Sequence, residues 1–127
     1  MGSVDEVTLF RTRAQAVYFR TRAQAVYDRA VEAVLRIGIL FKLYEKSQVP
    51  AKAKVNLHVG LVSELYSEAQ TILSICNSKS QDELTAATIM AGMSTPVSND
   101  KLDVWITDLQ ERIKYAGVVT ATLERPV

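Results

Sequence analysis

Residues 26–44 read VYDRAVEAVLRIGILFKLY, and the reading of this stretch decides the fold. Val26, Ala30, Val34, Ile37, Phe41 and Tyr44 recur at steps of three and four, the period of an amphipathic α-helix. Val31, Leu35, Ile39, Leu40 and Leu43 widen that stripe until the segment is apolar most of the way round. A helix of this kind needs neighbours on several sides. It predicts the central helix of an all-α four-helix bundle, with Phe41 in the middle of the buried stripe.

Immediately upstream the chain repeats itself. Residues 10–18 are FRTRAQAVY and residues 19–27 are FRTRAQAVY again. The unit is far shorter than a solenoid repeat and reads as an engineered or recent duplication. On a helix nine residues turn about 900°, a net half-turn. Ala23, Val26 and Tyr27 of the second copy are therefore in phase with Ala30 and Val34, whereas Ala14, Val17 and Tyr18 of the first point the other way. No glycine or proline lies between residues 4 and 37, so one long helix is predicted from residues 4–6 to about residue 46, with Ser3 or Asp5 as its N-cap. Such a helix spans about 60 Å, longer than a bundle of this size covers. Residues 4–22 are expected to overhang, with Val7, Phe10, Val17 and Tyr18 as an exposed apolar strip. Exposed strips mark contact surfaces, and the simplest cover is a second copy, a homodimer through the N-terminal helix. Met1, Gly2 and Ser3 read as a cloning remnant, and residues 4–127 as a single domain.

Downstream, Pro50 opens a second helix over residues 50–76, with Val55, Val59, Val62, Leu65, Tyr66, Ala69, Ile72, Leu73 and Cys76 in helical period. Ser80 to Glu83 matches the S-x-x-E capping box and predicts a short third helix to about residue 93, with Leu84, Ala87, Met90 and Ala91 inward. Ser98 or Asn99 caps the last helix, whose stripe is Leu102, Trp105, Ile106, Leu109, Ile113 and Ala116, with Gly117 as its C-cap. The tail from residue 118 onward carries no clear period, and nothing in the chain predicts a sheet.

Composition removes several function classes. The net charge is +1, so no global field draws the chain to nucleic acid or membrane. The longest apolar run falls well short of the roughly 18 residues of a membrane span, and no basic head with an apolar run marks a signal peptide. Cys76 is the single cysteine, which excludes an intramolecular disulfide and favours a reducing, cytoplasmic setting.

Few residues carry chemistry. His58 is the sole histidine and reads as a half-buried packing residue; Cys76 reads as a core thiol near a helix C-terminus, where the dipole has the wrong sign to activate it. No phosphate loop, dinucleotide fingerprint or metal-ligand cluster occurs, so no catalytic residue, metal or cofactor is expected. Gly38 and Gly60 inside helices read as points of close helix approach, and Trp105 as core. Arg11, Arg22, Arg29 and Arg36 share one side of the first helix, with Arg13 and Arg20 opposite; interleaved with Asp28 and Glu32, the stripe reads as a solvated face. With Phe10, Val17 and Tyr18, those four arginines form the candidate partner-binding set.

Leu40, Phe41, Glu45, Val49, Pro50, the spacing of Val59, Val62 and Leu65, the run Tyr66-Ser67-Glu68-Ala69 and Trp105 resemble the helical C-terminal module of the COPII outer-coat subunit and of the steroid receptor RNA activator protein. The likeness covers about half the chain and would imply a coat- or trafficking-type helical module. The segment between Cys76 and Trp105 is longer than that pattern. From the residues themselves, the expected function is a non-enzymatic interaction or scaffold module that binds a protein partner's helix or peptide in an inter-helix groove. Beside it stand the binding of nucleic acid or an acidic surface through the arginine stripe, and a small-ligand-binding bundle or enzyme.

Overall fold

In a computed structural model that describes residues 11–47 and 49–125, the chain forms four α-helices in the order α1 (Arg13–Tyr44), α2 (Ala51–Cys76), α3 (Gln81–Met90) and α4 (Asn99–Glu124). The all-α bundle with a long first and a short third helix is as the periodicity predicts. α2 runs antiparallel to both α1 and α4: Tyr27 meets Tyr66, and His58 and Glu68 reach Ala116 and Trp105. α1 and α4 therefore run in the same direction, and α3 packs on α2.

The start of α1 differs from expectation. Thr12, not Ser3 or Asp5, is the N-cap of this helix: its side chain accepts from the Gln15 backbone N–H at 3.1 Å, and its own N–H donates to Gln15 Oε1 at 2.9 Å. Ser3, Asp5, Val7 and Phe10 lie outside the described residues. The half-turn between the repeat copies is plain in the burial. Ala23 and Val26 are buried, whereas Ala14, Val17 and Tyr18 are exposed. The described part of the first copy nonetheless does not overhang, which corrects the expectation for residues 11–22. Arg11, Ala16 and Phe19 are buried beside Ile75 and Cys76 at the end of α2 and Leu84 of α3.

Other boundaries follow local chemistry. Ser80 Oγ accepts from the Glu83 N–H, but the Glu83 carboxylate accepts from the Lys79 N–H, one residue before the N-cap. α3 stops at Met90 rather than residue 93. Gly92, at φ +76°, closes it with the two bonds of a Schellman motif, Gly92 N–H to Ile89 O and Met93 N–H to Thr88 O. Ser98 caps α4 through the Lys101 N–H. Gly117 is not a C-cap; the helix runs on to Glu124 and takes in most of the unplaced tail.

The core gathers Phe19, Val26, Ile37 and Leu40 of α1, Val55, Val62, Leu65 and Ile72 of α2, and Leu102, Ile106, Leu109 and Ile113 of α4. Trp105 packs against its edge. Four expectations fail here. α1 is not surrounded: Leu35, Ile39 and Leu43 are 64%, 65% and 72% exposed. Met90 faces solvent, and the buried residues of α3 are Leu84 and Thr88. Phe41 is 40% exposed. Counting outward from the Tyr27–Tyr66 pair, Phe41 is level with the first turn of α2, where the covering helix begins. Gly38 and Gly60 also permit no close approach, since a Cβ on either would meet nothing within 4 Å.

Stability should follow this burial. Ile72→Ala is expected to cost about 2–5 kcal/mol, and Phe41→Ala clearly less; urea unfolding of the two variants checks the order.

Candidate functional site

Between α1 and α4 the surface opens into a groove of about 490 Å³, within the size range of small-molecule pockets. Its floor is Val26 and Ala33 of α1 with Ile113, Gly117 and Thr120 of α4. Arg29, Glu32 and Arg36 rim one side and Glu111 and Lys114 the other. The two helices are tied together at either end. Arg22 pairs with Asp103 and donates to Thr107 Oγ1 at 2.9 Å. Fourteen residues further along α1, Arg36 holds Glu124 through two hydrogen bonds of 2.5 and 2.9 Å. The Arg36 contact holds the Glu124 carboxyl below the usual carboxylate range.

The side chains singled out in the sequence separate into three groups. Arg22, Arg29 and Arg36 do share the side of α1 that faces α4, and they frame the groove. Val17 and Tyr18 lie elsewhere and exposed, Tyr18 packing edge-on to Phe19 with the Arg22 guanidinium 5.4 Å from its ring. Arg11 is not on a solvated face. It is buried, donates from Nη2 to Val97 O at 2.8 Å and stacks over the Phe19 ring. Burial lowers its pKa, and its role is to hold the loop before α4 onto α1. Phe10 is outside the described residues.

Behind the groove floor, His58 is buried rather than half-buried, with Nε2 3.0 Å from both Ala116 O and Thr120 Oγ1. A carbonyl only accepts, so Nε2 carries the proton. The Thr120 hydroxyl donates to the same carbonyl, at 2.9 Å. The arrangement ties α2 to α4 with every polar atom named here satisfied. Further along the same seam Glu68 accepts from Trp105 Nε1 at 2.7 Å and from both Arg112 Nη atoms, at 2.5 and 3.0 Å. Burial pushes the Glu68 carboxyl up, but the hydrogen bonds from Arg112 and Trp105 outweigh it, and the net shift is downward. Cys76 is a buried thiol whose pKa is pushed up to about 11 by burial, against the opposing pull of Arg11 and Arg20. Among the described residues, no three His, Cys, Asp or Glu side chains cluster to hold a metal ion.

Glu111, Arg112, Lys114 and Thr120 carry no functional signal in the sequence, and Glu68 enters it only within the run that resembles coat-type modules. The Asp108–Arg112 pair has a local signature, four residues apart on one helix. The Glu68–Arg112 pair, 44 residues apart, has none. Comparisons with protein-family models, with curated proteins and with solved structures found no match, and nothing is carried over from coat-type modules.

Two measurements follow. A carboxylate whose folded pKa is depressed stabilises the fold above its unfolded pKa, and that contribution is lost as pH falls through the folded pKa. Glu68→Gln should therefore lower stability at neutral pH and flatten its decline between neutral and strongly acid conditions, as read by urea unfolding at several pH values. Cys76 should resist alkylation by iodoacetamide at neutral pH in the folded protein and react readily once urea unfolds it, as mass spectrometry will show.

Proposed function

We propose that this chain is a non-enzymatic helical interaction module, and that the α1/α4 groove receives an amphipathic segment of a protein partner. The observation that carries this reading is the groove itself: an apolar floor between two ion-paired ends, rimmed by Arg29, Arg36 and Lys114 together with Glu32 and Glu111. Such a rim suits a segment with one apolar face and charges of both signs, the usual design of helix-in-groove recognition. The arginine stripe supports nucleic-acid binding poorly. Arg11 is buried, and Arg22 and Arg36 already face carboxylates. No described helix is long and apolar enough to cross a membrane. A reducing, cytoplasmic setting accords with the free thiol of Cys76.

Gly117 offers a clean test. It lies in the groove floor, and a Cβ added there meets nothing within 4 Å. Gly117→Leu should fill the groove without disturbing the core, and replacing a mid-helix glycine should hold or raise stability. Peptides selected by display on the immobilised full chain are expected to be amphipathic and to bind Gly117→Leu at least about tenfold more weakly, a loss of about 1.4 kcal/mol. Binding that ignores Gly117→Leu, or that a shift to high salt abolishes as phosphate contacts would be, overturns the reading.

A further inference from the structure

The outer face of α1 presents a second surface, on the side of the helix away from both α2 and α4. Leu35, Ile39 and Leu43 follow one another at four-residue steps and are each about two-thirds exposed or more. Their Cα atoms span about 12 Å of helix. Apolar residues scattered singly on a surface need no explanation, whereas an aligned row of three long aliphatic side chains does.

The charges around the row are arranged symmetrically. Ile39 is its midpoint. Leu35 and Leu43 lie four residues to either side; seven residues to either side lie Glu32, exposed and also at the groove rim, and Lys46, exposed in the turn just past the end of α1. An acid at one end and a base at the other make the strip complementary to itself when reversed. We propose that α1 pairs with α1 of a second copy of this chain, antiparallel, about a two-fold axis through Ile39.

In that arrangement Leu35 lies against the partner's Leu43, Ile39 against the partner's Ile39, and Glu32 against the partner's Lys46. The parallel alternative sets Glu32 against the partner's Glu32 and Lys46 against the partner's Lys46, which the charges oppose. Arg36 and Lys42 occupy opposite margins of the row. On each margin a basic residue meets its own copy across about 9 Å, close to the screening length at physiological salt. Arg36 is in addition turned toward α4 by its two hydrogen bonds to Glu124. Three aliphatic side chains and their flanking charges fall short of the roughly 800 Å² per partner of a standard stable interface, so the dimer is a weak one that forms at micromolar concentrations and above. This places self-association on the C-terminal half of α1 rather than on the duplicated segment, whose exposed Val17 and Tyr18 are neighbours in sequence and form no such row.

Sedimentation equilibrium of the full chain, from micromolar to near-millimolar concentration, reads the association. The parent is expected to be a concentration-dependent dimer, and Ile39→Lys a monomer with unchanged helix content. Glu32→Lys alone, or Lys46→Glu alone, should weaken the dimer about tenfold. The two together should restore it. Under mild oxidation Ile39→Cys should form a disulfide-linked dimer and Glu32→Cys should not, its symmetry mate being about 21 Å away. Cys76, being buried, does not compete. Gly117→Leu should leave association unchanged, which separates this proposal from the groove reading. A parent that stays monomeric throughout, a charge swap that fails to restore the dimer, or Glu32→Cys linking as readily as Ile39→Cys overturns the proposal.

Discussion

A helix presents only one phase to its core, and in this protein that phase belongs to α1. Its buried positions, Phe19, Ala23, Val26, Ala30, Ile37 and Leu40, form one narrow stripe that α2 and α4 share. Alanines at seven-residue spacing, Ala16, Ala23 and Ala30, keep the stripe shallow. Because the stripe is narrow, α1 has room for two neighbours and no more. The remaining apolar residues of its C-terminal half then have nowhere to go but outward. The exposed row at Leu35, Ile39 and Leu43 is thus a consequence of the same constraint that builds the core.

Polar contacts arrange the rest. Glu68, Trp105 and Arg112 bind α2 to α4 at one level, and His58 with Thr120 does so at another. Between α1 and α4, among the described residues, the side-chain ties sit only toward the two ends of the groove, at Arg22–Asp103 and Arg36–Glu124. Ion pairs that are partly exposed add little to stability singly. Their effect here is geometric, since they fix how α4 lies along α1 while leaving the middle of the seam open. The groove is the space that arrangement leaves, and its rim inherits the mixed charge of both helices. Groove and packing are in this sense one feature seen from two sides.

Much of the architecture was legible because it rests on local rules. Helix α2, the Ser80 cap, the Ser98 cap and the stripe from Leu102 to Ala116 all follow from period and capping chemistry. Where reading failed, the competing physics is identifiable. Gly117 resembles a C-cap, but the β-branched residues after it are held in helix by tertiary contacts, with Thr120 buried against His58. Phe41 sits on the predicted stripe, yet burial depends on how far α2 extends alongside it. The groove was anticipated only as a kind of site. Arg29 and Arg36 line it and Arg22 lies at one end of it, while Arg11 went inward to the Val97 carbonyl, a partner 86 residues away.

The duplicated nonapeptide separates the two kinds of information within one helix. Sequence alone determined that the copies face opposite ways, because the half-turn between them is a property of helix geometry. It could not determine which Thr-x-x-Gln begins the helix. In the first copy Thr12 and Gln15 form a capping box, and in the second Thr21 lies mid-helix and donates to Val17 O while Gln24 reaches Asp28. Identical residues have identical propensities. Only the burial of Phe19 and Ala23 among residues of α2, α3 and α4 decides between a helix start and a helix interior, because that burial outweighs the small free energy of a cap.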